Sequence, residues 1–403
     1  MRDLFDKYDG ITERYERMMA IGENALGVTN DRVLSPTRAI INGRETILAG
    51  TNNYMGVTFD PDCIKAGQDA LAQHGSGTTG SRIANGTYSI HRELERAFAD
   101  FLGRRRCIVF TTGYQANLGM IAGLAGPKDT IYLDADSHSS IYDGCTLSGA
   151  RLVRFRHNDA ADLDRRLQRS EGEEGGRLVI IEGIYSMLGD RAPLAEFVEV
   201  KRKHGFQLLI DEAHSFGVLG PHGRGLADEA GLEKEVDFVV GTFSKSVGAI
   251  GGFGAGDHPM FDTLRYAARA YMFTASPSPS AVATSLAALR KLKAQPERRD
   301  RLRANSARLH EGFVSLGLEL GCIEVSPVIA VKCPDEVSTL AMWNALLQAG
   351  VYVNIALPPG TPGRQCLLRC SVSAAHTAED IDRIIALFGE VVAKSRPPLA
   401  VNA

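Results

Sequence analysis

Lys245 is the residue whose neighbours most suggest chemistry. It stands in Gly241-Thr-Phe-Ser-Lys-Ser-Val-Gly-Ala-Ile-Gly-Gly252, among the hydroxyls of Thr242, Ser244 and Ser246, at the end of the apolar run Asp237-Phe-Val-Val-Gly241. Three readings compete for it: a solvated lysine on a Gly/Ser loop, the lysine of a nucleotide phosphate loop, or an amine that forms a Schiff base with a cofactor aldehyde. The phosphate loop needs glycine directly before the lysine so that backbone can wrap phosphate, and Ser244 fills that place. A Schiff-base lysine wants a rigid strand end, small neighbours and hydroxyls for a phosphate. The rest of the chain must decide between this and the solvated loop.

Asp211 follows Leu208-Leu-Ile210 and so puts a carboxylate at the exit of a strand expected to be fully buried. Buried acids are costly unless paired, and a pyridinium nitrogen would both pair with Asp211 and stay protonated, hence electron-withdrawing. His214, three residues on, would reach a ring hydroxyl; the plainer reading has Asp211 and His214 satisfying each other at a loop. Thr111-Thr-Gly-Tyr-Gln-Ala-Asn117 passes from strand to a helix beginning near Gly113. A helix start offers free N–H groups and a positive dipole end to a phosphate, with glycine letting the anion approach and Tyr114 beside it. His138, after Asp134-Ala-Asp136, would stack on an aromatic cofactor or serve as polar packing. An acid after one strand, a histidine after another, a glycine helix start and a lysine after a third together describe a pyridoxal phosphate site.

These residues need elements to hold them. From about 105 to 255, short apolar runs alternate with helical stretches: Cys107–Phe110, Thr130–Leu133, Leu152–Phe155, Leu178–Ile181, Gln207–Ile210 and Phe238–Val240. Such alternation predicts a mostly parallel sheet wrapped by helices, in which ligands sit beyond the carboxyl ends of the strands. Thr111, Asp134, Glu182, Asp211 and Thr242 each open the segment that follows such a run. Beyond Pro277 and Pro279 the pattern changes to long helices and then to short strands around Val325–Val331 and Cys366–Cys370. The fold class expected is therefore α/β: a large mostly parallel-sheet domain over 51–285 and a smaller C-terminal α+β domain over 286–403, preceded over 1–50 by an N-terminal helix and short strands. Leu4, Phe5, Tyr8, Ile11, Tyr15, Met18 and Met19 form an apolar stripe at helical spacing that must be buried on the body or on a partner chain.

The bulk numbers agree with a globular protein of about two domains: 403 residues, 44% hydrophobic and 23% charged,. A formal net charge of -3 argues against non-specific nucleic-acid binding, and the locally basic Arg104-Arg105-Arg106 and Arg298–Arg308 stretches read as solvated faces. The N-terminus lacks the apolar core of a signal peptide, and no apolar run reaches the roughly 18 residues of a spanning helix, so a cytoplasmic protein is expected. Seven scattered cysteines read as reduced structural thiols; Cys366 and Cys370 have no second pair to complete a zinc site, and no metal is expected.

Several stretches are more specific still. Asp211-Glu-Ala-His-Ser215, Gly241-Thr-Phe-Ser-Lys-Ser-Val-Gly248 and Asp134-Ala-Asp-Ser-His138 resemble the α-oxoamine synthases. Supporting stretches over nearly the whole chain include Asn53-Tyr-Met-Gly56, Gly75–Arg82, Asn85-Gly-Thr87, Ser139–Gly144, Arg154–Asn158, Glu182–Asp190 and Leu368-Arg-Cys-Ser371. The resemblance implies a pyridoxal 5'-phosphate-dependent transferase of fold type I, the aminotransferase-like fold. It implies that Lys245 carries the cofactor as a Schiff base, that Asp211 pairs with the ring nitrogen, that His214 contacts the ring hydroxyl and that His138 stacks on the ring. Gly113, Tyr114, Thr242 and Ser244 would hold the phosphate, and in a homodimer with shared active sites Thr274 would reach the phosphate of the other subunit. Arg369 would bind near the amino-acid carboxylate, and Asn53 lies in the matching substrate-side motif.

The activity implied is a decarboxylative condensation of an amino acid with an acyl-CoA, catalysed by Lys245 and His138. Within the family the chain is most similar to members that use L-serine and a long-chain acyl-CoA such as palmitoyl-CoA, the first step of sphingolipid synthesis; sister reactions on glycine or alanine are the alternative. A non-catalytic partner subunit of the same fold is a third reading, against which the retention of Lys245, Asp211, His138 and His214 speaks. A lipid product would call for peripheral membrane contact. The chain departs from the family wording at Leu357, in Ala356-Leu-Pro-Pro-Gly-Thr-Pro362, where an arginine often closes on the substrate carboxylate, and at Asn52 and Ser278.

Overall fold

The computed structural model describes residues 3 to 395, and every count of elements below refers to these. The chain divides into two units: one runs from Asn52 to Ser186 and from Asp190 to Leu302, the other takes the segment before Asn52, Met187–Gly189 and the chain from Arg303 on. The division falls between Leu302 and Arg303 rather than at 285/286. The reason is the Pro279–Ala294 helix, which packs along the Pro61–His74 helix and the Ser89–Leu102 helix of the large unit. The N-terminal strands likewise join the C-terminal segment instead of standing alone.

The large unit is built on a seven-stranded sheet in the order Arg106–Phe110, Gly252–Gly256, Phe238–Thr242, Gln207–Asp211, Arg177–Glu182, Thr130–Asp134, Arg151–Phe155. Five of these strands pair in parallel, and Gly252–Gly256 runs antiparallel to both its neighbours. The parallel strands are continuous apolar runs because both faces are covered: Leu208, Leu209, Ile210, Val179, Ile180 and Ile181 are fully buried,. The six runs read from the sequence are all strands. Gly252–Gly256 was not among them, since Gly-Phe-Gly-Ala-Gly has poor strand propensity. Its glycines answer a packing demand: a Cβ on Gly252 would lie 2.7 Å from the backbone of Gly113, so the Gly113–Leu124 helix can start against the sheet only if that position is bare.

In the second unit Arg32–Ser35, Arg38–Ile41, Arg44–Leu48 and Val351–Tyr352 form one sheet, and Val328–Cys333, Cys366–Ser371 and Asn354–Ala356 form another. Trp343, on the Glu336–Gln348 helix, is buried and donates its indole N–H to the Val353 carbonyl at 2.8 Å. The expected burial of the N-terminal stripe does not occur within the chain. On the Asp9–Ile21 helix Met18 alone is buried, while Ile11 is 65% exposed and Tyr15 and Met19 also face out.

The basic stretches are likewise not simply solvated. Arg104 is buried and donates to the carbonyls of Val236 and Glu233 and to Asp257, and Arg299 is buried with a bond to the Pro221 carbonyl. All seven cysteines are free. Among the described residues no group of His, Cys, Asp and Glu is arranged to hold a metal, and no helix is long and apolar enough to cross a membrane.

Candidate active site

A cavity of about 360 Å3 opens in the large unit at the carboxyl ends of the parallel strands, the place where open α/β sheets bind ligands. Gly113, Tyr114, His138, Asp211, His214, Thr242, Ser244 and Lys245 all line it. Residues far apart in sequence therefore converge there.

Lys245 owes its position to an aromatic anchor. Phe243, two residues before it, is buried against Phe98 at a ring separation of 4.7 Å, and Phe98 in turn packs on Phe253 at 5.1 Å. Burial of one such ring stabilises by about 1.5–3 kcal/mol, enough to pin a short loop. The loop is closed on itself as well: Phe243 N–H donates to the Gly251 carbonyl at 2.9 Å, Ala249 N–H to the Phe243 carbonyl at 2.9 Å, and Gly248 N–H to the Lys245 carbonyl at 3.0 Å. The lysine is thus half-buried on a rigid strand exit. The solvated-loop reading does not describe it.

Asp211 is the last residue of its strand and is buried. One carboxylate oxygen accepts from Asn117 Nδ2 at 2.7 Å and the other from the Ala213 amide at 2.8 Å. His214 pairs instead with the Tyr54 hydroxyl, through Nδ1 at 2.7 Å. Both donors belong to the cavity wall with Asp211 itself, so the carboxylate is fixed in place where a cationic ligand group could meet it.

His138 caps the Ser139–Ser148 helix, its Nδ1 accepting from the Ser140 amide at 3.2 Å and lying 2.7 Å from the Ser140 hydroxyl. A backbone N–H can only donate, so Nδ1 is an acceptor and the ring proton sits on Nε2. Burial lowers the imidazole's pKa, with Lys245 adding to the effect and Asp211 opposing it. The ring is consequently neutral near pH 7 and presents Nε2–H as a donor.

Glu182 is a site residue that the sequence reading left without a role. It ends the strand beside Asp211, in register with it, lines the cavity and is buried. The His138 backbone N–H donates to its Oε1. Burial drives its carboxyl well above the ordinary range, and the charge of Asp211 pushes the same way, against the His138 amide and Lys245. The Glu182 carboxyl is accordingly biased toward the protonated form,. Asn117 and Ser140 were also missed as members of the site. Nothing local marks them, because their function is to brace Asp211 and His138 across helix and strand, at 3.0 Å from one another.

The glycine at 113 has a cause besides the one expected. A Cβ there would lie 2.6 Å from the Thr242 Cβ, so the residue is bare also to let the helix start meet the strand. The helix start itself is as expected: Thr112 is the N-cap, its hydroxyl accepting from the Gln115 amide at 3.1 Å. Thr242 Oγ1 lies 2.8 Å from Ser244 Oγ and accepts the Ser244 amide at 3.2 Å. Hydroxyls and the amide end of a twelve-residue helix thus face one cavity.

Three expected site residues are not among those lining this cavity. Thr274 Oγ1 accepts from Gln115 Nε2 at 3.0 Å; Asn53 is buried and donates to Thr58 Oγ1 at 2.8 Å. Arg369 belongs to the second unit, where it is buried on the Cys366–Ser371 strand with Nη1 3.0 Å from the Ser371 hydroxyl.

The donor set fits pyridoxal phosphate: an amine for the aldehyde, a braced carboxylate for the ring nitrogen, and hydroxyls with helix-start amides for the phosphate. The buried Asn117 Oδ1 has no hydrogen-bond partner among the described residues, as expected where a wall is completed by a ligand.

Sheet order and site define an α/β protein of the aminotransferase-like, pyridoxal-phosphate-dependent class. The chain belongs to the family described as aminotransferase class I and II, whose model matches residues 45–388. It is 54% identical over 388 residues to a serine palmitoyltransferase of Caulobacter vibrioides, covering 96% of each chain. It is 51% identical to the serine palmitoyltransferase of Sphingomonas paucimobilis, over 96% of this chain and 92% of the relative. A solved structure described as SPT with the PLP internal aldimine superposes with a TM-score of 0.95 at 50% identity, over 98% of this chain and 99% of that one.

Proposed function

We infer that the chain is a pyridoxal-phosphate-dependent acyltransferase that condenses L-serine with a long-chain acyl-CoA, palmitoyl-CoA in the type reaction. It releases CoA and carbon dioxide and forms the 3-keto sphingoid base that begins sphingolipid synthesis. The observation that carries this reading is the convergence of Lys245, Asp211 and His138 on one cavity in a chain matching serine palmitoyltransferases over 96% of their length at 54% identity.

Pyridoxal phosphate supplies an aldehyde that captures an amine and a protonated ring that withdraws electrons from the substrate's α-carbon. Asp211, oriented by Asn117 and the Ala213 amide, offers the carboxylate that would pair with a protonated ring nitrogen. Thr242, Ser244 and the Gly113 and Tyr114 amides hold the phosphate. Lys245 Nζ anchors the cofactor, and once displaced by serine it takes the α-proton, a task for which a partly desolvated amine on a fixed loop is suited. His138 packs on the ring and orients the serine carboxylate through Nε2–H, and His214, braced by Tyr54, contacts the ring hydroxyl. Asn53 and Arg369 act on the substrate side.

The same reading takes the protein to be a cytoplasmic homodimer. Thr274 follows Phe273, which is 70% exposed, and Tyr266 nearby in sequence is 71% exposed, apolar surface of the kind a second subunit covers. Seven free thiols suit a reducing compartment,. Delivery of a lipid product would bring peripheral contact with a membrane.

Absorbance titration of the yellow holoprotein with L-serine, glycine and L-alanine tests the substrate. A saturable change with serine at concentrations where the other two have none supports the reading. Response to glycine or alanine instead moves the chain to a sister reaction, while Lys245→Ala should lose the absorbance near about 420 nm that marks the linkage to lysine.

A further inference from the structure

Arg105 and Arg106, from the Arg104-Arg105-Arg106 run, enter a pocket that the catalytic reading does not use. It has a volume of about 250 Å3 and is lined by Arg92 and Arg96 of the Ser89–Leu102 helix, by Arg105 and Arg106, and by Arg265. Glu95 and Asp262 are the two acids in its wall.

Those two carboxylates are already fully engaged. Both oxygens of Glu95 accept from Arg265, at 2.8 and 3.0 Å, and the same carboxylate accepts from Arg82 at 2.9 Å and Arg92 at 3.0 Å. Asp262 accepts from Arg265 Nε at 3.0 Å and pairs with Arg106 Nε at 2.9 Å. Asp257, the next acid along, is taken by Arg104 and by the Arg105 amide. Four guanidiniums therefore share two carboxylates, and among the described residues neither Arg96 nor Arg105 has a carboxylate partner.

The excess charge reaches into the interior. Arg82, Arg265 and Glu95 are all buried, so two buried cations face one buried anion. The Tyr271 ring lies 5.4 Å from the Arg82 guanidinium and 5.7 Å from that of Arg265, which softens the imbalance without cancelling it. Burial pushes the Glu95 carboxyl up, but Arg82 and Arg265 outweigh it and hold the group below its ordinary range. A net positive concavity in a chain whose formal charge is -3 is a local feature, and forked guanidiniums match the oxygens of a phosphate in geometry as well as charge.

The pocket is separate from the catalytic cavity. Arg106 opens the strand whose other end, Phe110, leads to Thr112 and Gly113, and a five-residue strand spans roughly 13 Å. We propose that these arginines form a second anion site that takes an anionic phosphate group, from a free phosphorylated metabolite or from a phospholipid headgroup, distinct from the cofactor's phosphate site.

The holoenzyme, with its own phosphate site filled, is titrated calorimetrically with inorganic phosphate at constant ionic strength and separately sedimented with phosphatidylglycerol/phosphatidylcholine vesicles. Arg96→Gln/Arg105→Gln serves as the comparison, since both side chains are exposed and outside the catalytic machinery. The expected result is saturable binding in at least one arm, weakened at least tenfold in the double variant, from the loss of two charge-assisted contacts. Binding of phosphate identifies a free ligand; binding of vesicles alone identifies the headgroup. No binding in either arm, or equal binding by both proteins, overturns the proposal. Neither arm depends on turnover, so the result stands apart from the acyltransferase reading.

Discussion

The two acids at the strand ends show how neighbouring carboxyls of like chemistry come to sit in different environments. Asp211 has a side-chain amide donor, a backbone donor and the cavity in front of it. Glu182 has burial and a single N–H from His138, and burial with the charge of Asp211 outweighs that one donor and raises its pKa,. A neutral acid is closely mimicked by its amide. Glu182→Gln should therefore keep kcat within about threefold, whereas Glu182→Ala, which strands the His138 N–H, should lower kcat tenfold or more, the equivalent of roughly 1–3 kcal/mol for an unsatisfied buried donor. Steady-state kinetics on both variants decide the matter. If glutamine is as damaging as alanine, the site needs an ionised carboxylate at 182 and the protonated form assigned to Glu182 is wrong.

At the scale of elements, three segments that are separate in sequence are tied by one imidazolium. His157 Nδ1 donates to Asp134 at 2.9 Å and Nε2 to Asp190 at 2.7 Å, with Tyr185 edge-on at 4.5 Å. Burial alone would lower its pKa, but the two carboxylate hydrogen bonds prevail and raise it to about 10. A base raised in the folded state contributes stability that is complete below its unfolded value near 6.5 and is lost as pH rises through about 10. His157→Gln should be less stable at pH 7 by on the order of 2 kcal/mol, a usual loss for breaking a buried hydrogen-bonded ion pair. The deficit should shrink toward pH 10, as read from urea midpoints. A deficit constant from pH 7 to pH 10 would mean that the histidine is held neutral.

What the sequence disclosed, and what it withheld, follows from the same physics. Buried parallel strands are continuous apolar runs, so six of the seven large-sheet strands were legible, and the residues that follow such runs gave Lys245, Asp211, His138 and Gly113. Gly252–Gly256 was illegible because its composition serves the close approach of a helix. Asn117 and Ser140 were illegible as site members because their roles are contacts across elements, to which no local pattern corresponds, while Glu182 was marked by its place at a strand exit but not by any sign of its role. At Gly113 the packing against Thr242 adds a second demand for a bare position that the sequence did not show.

For the whole molecule, the N-terminal helix and the surface around Tyr266 and Phe273 leave apolar area outside, in keeping with the proposed homodimer. The match over 96% of the Caulobacter relative leaves no large part of that enzyme without a counterpart here. The central claim, that this chain carries out the full decarboxylative condensation, is tested most directly by its stoichiometry. Holoprotein is supplied with carboxyl-labelled L-serine and palmitoyl-CoA, and released CoA, labelled carbon dioxide and long-chain ketone are counted together. Equal amounts of all three, and none with Lys245→Ala, are predicted. CoA released without carbon dioxide, or no release of either despite bound cofactor, would contradict it.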